Sequence, residues 1–359
     1  MTDLAALVDV DRIATLADFE PLARERMAPA DFDFVAGGSW DEVSLAENVA
    51  AWRRFRFVPR VLTGVREVDL RGSFLGIRSS MPVAIAPMAT QAMAHPEAEI
   101  AMARAAASAG IPFCLSTSAS TAMEDVPSAA PGSDHLFQLY LVRDLGYTRS
   151  LVERADAAGY RAIVLTVDLP VLGFRDRDRR NGFALGAMPM VDGAAARDAD
   201  DRRYGGITEQ HEIGLSWSTV DEIRSWTDLP IVLKGILSGE DAARAAETGV
   251  AGIVVSNHGA RQLDRSIATA DALRDIVDRV EGRCEVWVDG GIRRGLDVAI
   301  ALSLGASGVL VGRPLYWALA AAGQPGVERA LAILREELTL TLQLLGSASI
   351  GDLGPALLA

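Results

Sequence analysis

Cysteine is nearly absent from this chain of 359 residues, which holds only Cys114 and Cys284. Both stand inside apolar, strand-like runs, so they are expected to be buried free thiols rather than a disulfide framework, in a reducing, cytoplasmic setting. Long apolar stretches are missing too, and none approaches the length needed to cross a bilayer. The opening MTDLAALVDVDR has no basic region followed by an apolar one, so no leader and no membrane partner are expected. Positive charge is in deficit: 35 Lys and Arg face 48 Asp and Glu, for a formal net charge of -13. Such a chain is a poor ligand for nucleic acid, and any anion it binds must meet a few local cations.

What is present fits an ordinary globular enzyme: 50% hydrophobic residues, 23% charged residues and 33 glycines, enough for a large core. Residues 1–60 read as helical. One helix is expected from Asp18 and Pro21 through Met27, broken by Pro29. A second runs from Ala30 to Ala36 and ends at Gly37-Gly38, and an alanine-rich third runs to about Ala51. Arg53, Arg54, Arg56 and Arg60, interleaved with Phe55 and Phe57, are read as packing stems and surface ion pairs.

From residue 83 a rhythm begins. Apolar, β-rich runs fall at Val83–Ala86, Pro112–Leu115, Leu136–Leu139, Ala162–Val167, Pro230–Leu233, Gly252–Val255, Glu285–Val288 and Gly308–Val311. Their starts are roughly 22 to 33 residues apart, one βα unit, with one gap of about 68. Alanine-rich amphipathic segments lie between them, as at Glu97–Ala109 and Thr269–Val280. Eight alternating units argue for a closed (β/α)8 TIM barrel, with residues 83–313 carrying the strands and 315–346 closing helices. A doubly wound sheet is the alternative. We expect one domain over 1–359, a mobile lid at 187–212 inside the long gap, and a frayed tail at 346–359.

Barrel enzymes place their chemistry at the C-terminal strand ends. Here those ends carry Pro87, Met88 and Ala89; Ser116; Gln138 and Tyr140; Thr166 and Asp168, with Arg175 a turn later; and Lys234. The last three carry Ser256 and His258; Asp289, Gly290, Gly291 and Arg293; and Gly312 with Arg313. A purely structural barrel would show polar groups at only a few of these ends. The segment Ser256-Asn257-His258-Gly259-Ala260-Arg261-Gln262-Leu263-Asp264 leaves a buried strand with an imidazole three residues before an arginine. That pairing suits a base beside an anion clamp. A lone histidine there would more often be structural; its neighbours reverse the preference. Glycine–arginine pairs after strands seven and eight suit a phosphorylated ligand. Lys234 could be either a salt-bridge partner of Asp168 or Asp289, or a cation beside a cofactor that becomes negative on reduction.

These segments, with Asp289–Gly295, Gly312-Arg313-Pro314, Leu165–Asp168 and Phe137–Tyr140, resemble the FMN-dependent 2-hydroxy acid oxidase and dehydrogenase family, which includes glycolate oxidase, lactate oxidase and mandelate dehydrogenase. The resemblance spans nearly the whole chain. Phe32–Ser39, Asn181–Leu185 and Trp317–Gln324 resemble the members that oxidise hydroxymandelate. By resemblance, His258 is the base, Asp168 its ion-pair partner, Tyr140 a donor to the substrate hydroxyl, and Arg261 and Arg175 the carboxylate grip. Lys234 would stabilise reduced flavin. Pro87, Met88, Ala89, Ser116, Gln138, Thr166 and Ser256 would line the flavin ring. Asp289, Gly290, Gly291, Arg293, Gly312 and Arg313 would hold ribityl and phosphate. No metal is implied.

Two departures stand out. Phe34 occupies the place of a glycolate-oxidase tyrosine that donates to the substrate carboxylate, a charge-assisted bond of about 1.5–3 kcal/mol where it is made. Ser118 occupies the place of a tryptophan over the substrate, leaving room for a larger group. An aromatic 2-hydroxy acid is therefore expected; the resemblance further implies O2 as acceptor, from the alanine at Ala89, and a homotetrameric assembly. The alternatives are a tailoring oxidase acting on an amine, ester or carrier-bound substrate, and a non-redox FMN isomerase or silent flavin-binding protein.

Overall fold

The computed structural model of the protein describes residues 8–192 and 212–359. Eight parallel strands close into a barrel: Val83–Ile85, Phe113–Ser116, His135–Leu139, Ile163–Thr166, Ile231–Ile236, Gly252–Val255, Glu285–Val288 and Gly308–Val311. Each lies within three residues of its expected run. They form because short β-branched and aromatic runs, apolar on both faces, can bury a sheet on both sides. Helices follow the strands in turn, among them Ala98–Ala109, Leu145–Ala157, Trp217–Arg224, Gly239–Glu247, Thr269–Val280 and Gly295–Ser303. Most start from a polar or acidic first turn and several stop at a glycine, as at Gly110 with φ 66°.

Two apolar layers hold the barrel. Inside it, Ala84, Cys114, Leu136, Val164, Val232, Val254, Trp287 and Leu310 fill the bore. A small antiparallel hairpin, Gly72–Phe74 with Ile77–Ser79, plugs its N-terminal end. Phe74 meets Trp287 edge-on at 5.1 Å, and Leu75 N–H and Trp287 Nε1 both donate to Glu285, at 2.9 Å each. Outside, the alternate strand residues, such as Ile85, Phe113, Phe137 and Ile253, pack against the helices.

The N-terminal helices are Phe19–Arg26, Pro29–Ala36 and Val43–Trp52. They cover the opposite, C-terminal end. Asn48 and Asn257 exchange two amide hydrogen bonds of 2.8 Å, and Trp52 Nε1 donates to the Gly290 carbonyl at 2.8 Å. Gly291 (φ 82°) allows this approach, since a Cβ there would lie 1.8 Å from the Asn48 carbonyl oxygen. The glycine is therefore demanded by packing as well as by any ligand. Of the arginines at 53–60, Arg54 behaves as read, pairing with Glu47 and Asp271 on the surface.

The closing segment Arg313–Leu345 breaks at Ala322 and Gly323, just before Pro325, so it is two helices across a kink, in line with the closing helices expected there. Two expectations change. Cys114 is buried, whereas Cys284 precedes its strand and is only half-buried. The tail is not frayed. Ile350–Asp352 and Pro355–Leu357 form short turns, Leu357 is 6% exposed, and the backbone bonds Val58 N–H to Leu357 O (2.8 Å) and Ala359 N–H to Arg56 O (2.9 Å) tie it down. Leu353, Leu357 and Leu358 supply apolar side chains, and residues 56–58 supply the unpaired edge. Of the expected lid, residues 193–211 lie outside the described residues; helix Pro189–Asp192 and Glu212 flank them.

Candidate active site

One cavity opens at the C-terminal end of the barrel, beneath the N-terminal helices. Its wall includes Pro87, Met88, Ala89, Ser116, Gln138, Thr166, Lys234, Asp289, Gly290, Gly291, Arg293, Gly312 and Arg313, together with Phe34, Ser118, Tyr140, Arg175, His258 and Arg261. The barrel register sets the polar row. Ser116 lies beside Gln138, and Thr166 beside Lys234, on neighbouring strands. Ser116 Oγ donates to Gln138 Oε1 at 2.9 Å, and Gln138 Nε2 donates to Thr166 Oγ1 at 3.0 Å. Buried polar groups at these strand ends are thus mutually satisfied before any ligand arrives.

His258 sits with φ 57° in the short turn after the sixth strand. Its Nδ1 donates to Asp168 Oδ1 at 2.8 Å, and Tyr140 OH faces its Nε2 at 3.3 Å. Burial pushes the imidazole below the ordinary histidine value, with Asp168 pulling the other way. Burial also raises the Asp168 carboxyl, but the His258 imidazole and then Lys234 outweigh it and hold it below the usual carboxylate range. The proton therefore belongs on Nδ1, and Nε2 carries a lone pair. Burial pushes the Tyr140 phenol up to about 12, so it stays protonated and donates to that lone pair. Gly235 makes this possible: the ladder shifts register there, and a Cβ would lie 2.5 Å from the Asp168 side chain.

Lys234 forms the salt bridge of the first reading. Its Nζ lies 3.0 Å from Asp289 Oδ2 and donates to Ser256 Oγ at 2.8 Å, while its side chain still lines the cavity. Burial alone would lower the ammonium, but Asp289 and Asp168 hold it above the ordinary lysine value. Ser256 departs from expectation. It does not line the cavity; fully buried, its Oγ accepts from Lys234 Nζ and from His258 N–H at 3.1 Å, so it fixes those two groups from behind. Asp168 likewise stands one layer back, behind His258.

The opposite wall is built on Phe34. Its ring stacks on Phe183 at 4.3 Å, and the guanidinium carbons of Arg261 and Arg175 lie 4.6 and 5.8 Å from its centre. Arg261 donates to the Phe34 and Gly37 carbonyls, and Arg175 Nε donates to the Arg261 carbonyl at 3.3 Å. Arg313 spends Nε and Nη2 on the carbonyls of Val35, Gly37 and Gly259, at 2.8 to 3.0 Å, and so also clamps the N-terminal segment. Sequence reasoning passed over Asp178, Leu169, Leu172 and Tyr316, which line the same cavity. The signal for Asp178 was its three-residue spacing from Arg175 in a charge-dense run. Leu169 and Leu172 had no signal beyond proximity to Asp168.

A flavin mononucleotide fits this donor set. Asp289 Oδ1 is buried without a hydrogen-bond partner, ready for a hydroxyl donor. Gly290 and Gly291, with φ 89° and 82°, expose backbone beside the Arg293 and Arg313 cations. Among the described residues no helix is long and apolar enough to cross a membrane, and no group of three or more His, Cys, Asp or Glu is set to hold a metal ion.

Such a barrel, with a base–carboxylate pair and a phosphate-suited end in one mouth, defines a flavin-dependent oxidoreductase. Residues 23–359 match the family model for FMN-dependent dehydrogenase, and the chain belongs to that family with FMN as its cofactor. It is 47% identical over 343 residues to a 4-hydroxymandelate oxidase of Amycolatopsis orientalis, covering 94% of this chain and 96% of the relative. It is 44% identical over 354 residues to an L-lactate oxidase of Nostoc sp., covering 96% and 97%. The crystal structure of a mandelate oxidase with (S)-4-hydroxymandelic acid superposes with a TM-score of 0.90 at 45% identity, covering 97% of this chain and 98% of that one.

Proposed function

We propose that this protein oxidises an aromatic 2-hydroxy acid of the mandelate type to the 2-oxo acid, with O2 as the final electron acceptor. The observation that carries the reading is the wall of Phe34, Phe183, Leu169, Leu172 and Leu185 facing two arginines and a neutral His258. Such a wall is apolar and broad on one side and anion-binding on the other. Similarity to mandelate and 4-hydroxymandelate oxidases supports the same substrate class.

Arg175 and Arg261 bind the substrate carboxylate and set its orientation. Tyr140 donates to the substrate hydroxyl oxygen. His258 Nε2 takes a proton from the substrate, and Asp168 stabilises the resulting imidazolium through the 2.8 Å bond to Nδ1. Lys234, Gln138, Ser116 and Thr166 would hold the ring end of FMN, while Asp289, Gly290, Gly291, Arg293, Gly312 and Arg313 would hold its ribityl and phosphate. When bound, FMN supplies the two-electron acceptor that the side chains lack. Ser118, 6% exposed and small, leaves space over the substrate.

The described residues serve as one FMN-binding domain. Val61, Leu62 and Leu344 are 81%, 101% and 76% exposed on neighbouring segments, which supports self-association into a homotetramer, and the free thiols support a cytoplasmic setting. The test is oxygen uptake with a substrate panel. The reading predicts a higher kcat/KM for (S)-mandelate or (S)-4-hydroxymandelate than for glycolate or lactate. Faster turnover of glycolate than of mandelate contradicts it.

A further inference from the structure

Two of the strand-end loops that wall the cavity are tied together from outside it. The loop after the first strand brings Pro87, Met88 and Ala89 to the cavity, and the end of the second brings Ser116 and Ser118. The two backbones meet where Thr90 N–H donates to the Ser118 carbonyl at 2.9 Å. Thr90 is buried at φ 42° and ψ 57°, a left-handed conformation that a β-branched residue keeps only where its surroundings fix it. Tyr316 OH, from the closing segment, donates to the Thr90 carbonyl at 2.9 Å. Burial, and then the Glu99 carboxylate, push the Tyr316 phenol well above its ordinary value, so it keeps that proton.

Glu99 completes the tie. It lies in the first turn of helix Ala98–Ala109, is fully buried and does not line the cavity. Its Oε1 accepts from Gln91 N–H at 3.0 Å, Ser120 N–H at 2.9 Å and Ser120 Oγ at 3.2 Å, and its Oε2 accepts from Thr121 Oγ1 at 2.7 Å. Ser120 Oγ accepts in turn from Ala92 N–H at 2.9 Å. Burying a carboxylate is costly unless donors meet it, and here four do. None of them is a local helix cap, since they lie 8, 21 and 22 residues away in the chain. Gln91 follows Thr90 directly, and Ser120 stands two residues after Ser118. One carboxylate thus grips both sides of the Thr90–Ser118 contact.

We infer that Glu99 is a positioning residue: it holds the Ala89 and Ser118 loops as one rigid wall and, through them, sets how the substrate lies against the flavin. The acid grip of Arg175 and Arg261 stands on other segments, so Glu99 governs alignment rather than affinity. Glu285 is its counterpart at the plugged end of the barrel. It also joins two segments by accepting from Leu75 N–H and Trp287 Nε1, but with no part of the cavity between them. The inference rests on the proposed function, with Ala89 at the flavin and Ser118 over the substrate.

The experiment compares the native holoenzyme with Glu99→Ala, Glu99→Gln and Glu285→Ala. The readouts are the visible circular dichroism of bound FMN, the dissociation constant of phenylacetate from flavin absorption, and the rate of anaerobic reduction by (S)-mandelate. Glu99→Ala should slow reduction on the order of tenfold to a hundredfold and alter the circular dichroism, with phenylacetate binding held within about threefold. Glu99→Gln should stay within about threefold of native throughout, because its amide oxygen still accepts from Gln91 and Ser120 and its amide nitrogen donates to Thr121 Oγ1. Glu285→Ala should unfold at lower urea with the flavin readouts native. Native reduction and circular dichroism in Glu99→Ala overturn the inference. So do an equally slow Glu99→Gln, the same flavin changes in Glu285→Ala, or phenylacetate binding lost in step with reduction. If Glu99→Ala does not fold, Ser120→Ala decides: several-fold slowing with altered circular dichroism supports the tie, and native values overturn it. A native protein that (S)-mandelate does not reduce contradicts the proposed function instead, and the circular dichroism still decides the role of Glu99.

Discussion

His135 and His258 are both tucked into the barrel, and burial pushes both below the ordinary histidine value, yet they stand at opposite ends of it. His135 opens the third strand at the N-terminal end. It is 2% exposed, faces Ser133 Oγ at 2.9 Å, packs edge-on against Phe113, and its Nδ1 has no hydrogen-bond partner. His258 follows the sixth strand, lines the cavity, and has a carboxylate on one nitrogen and a phenol on the other. The residue type is shared; the hydrogen-bonded carboxylate is not. A histidine that can become charged only at the expense of burial is a packing group. One with a carboxylate at 2.8 Å has somewhere to put the charge, and can act as a base.

Breaking the upper histidine should have the largest effect. His258→Asn is expected to slow reduction of the enzyme by substrate on the order of 10²- to 10⁴-fold while the protein stays yellow. Stopped-flow anaerobic reduction measures this. His135→Phe, read in the same assay, should leave the rate within about twofold of the native value. Because His258 must be unprotonated to accept a proton, kcat/KM should fall as pH drops through its value, which lies below 6.5. A fall centred above that value would contradict the assignment.

The lower end should respond in stability instead. Phe74→Ala removes the fully buried ring that seats on Trp287 and should cost about 3–5 kcal/mol in urea unfolding, with little change in KM. His135 should appear in the pH dependence of stability. Its folded value of about 4 lies below the ordinary 6.5, so its contribution is intact above about pH 6.5 and is lost as pH falls toward about 4. The loss is at most about 3 kcal/mol, and His135→Phe should flatten unfolding curves across that window. Smallest is Phe34→Tyr at the mouth. Restoring a hydroxyl should lower KM for glycolate by a few-fold, about 1 kcal/mol, relative to mandelate. An unchanged ratio of the two KM values would show that Phe34 does not tune the acid grip.

The two ends were not equally legible. Strand runs such as Gly252–Val255 announced themselves because β-branched residues between glycine signals have few other uses. The polar strand ends were legible for the same reason in reverse: Lys234, Asp289 and His258 are costly to bury without purpose. What lay beyond reach depends on contacts across the chain. Nothing local says that Ser256 serves Lys234 and His258 from behind, that Arg313 clamps the carbonyls of Val35 and Gly37, or that residues 56–58 pin the tail. Asp178 hid in a run of charges that reads as a solvated face, and only the short helix Asp176–Asn181 turns it inward.

The most direct test of the central claim is an anaerobic titration of the holoenzyme with (S)-4-hydroxymandelate, following the flavin's visible absorption in the native protein and in His258→Asn. The account predicts full bleaching of the native protein, recovery of colour on admitting air, and a variant that stays yellow. A native protein that stays yellow, or a His258→Asn variant that bleaches at the native rate, would contradict it.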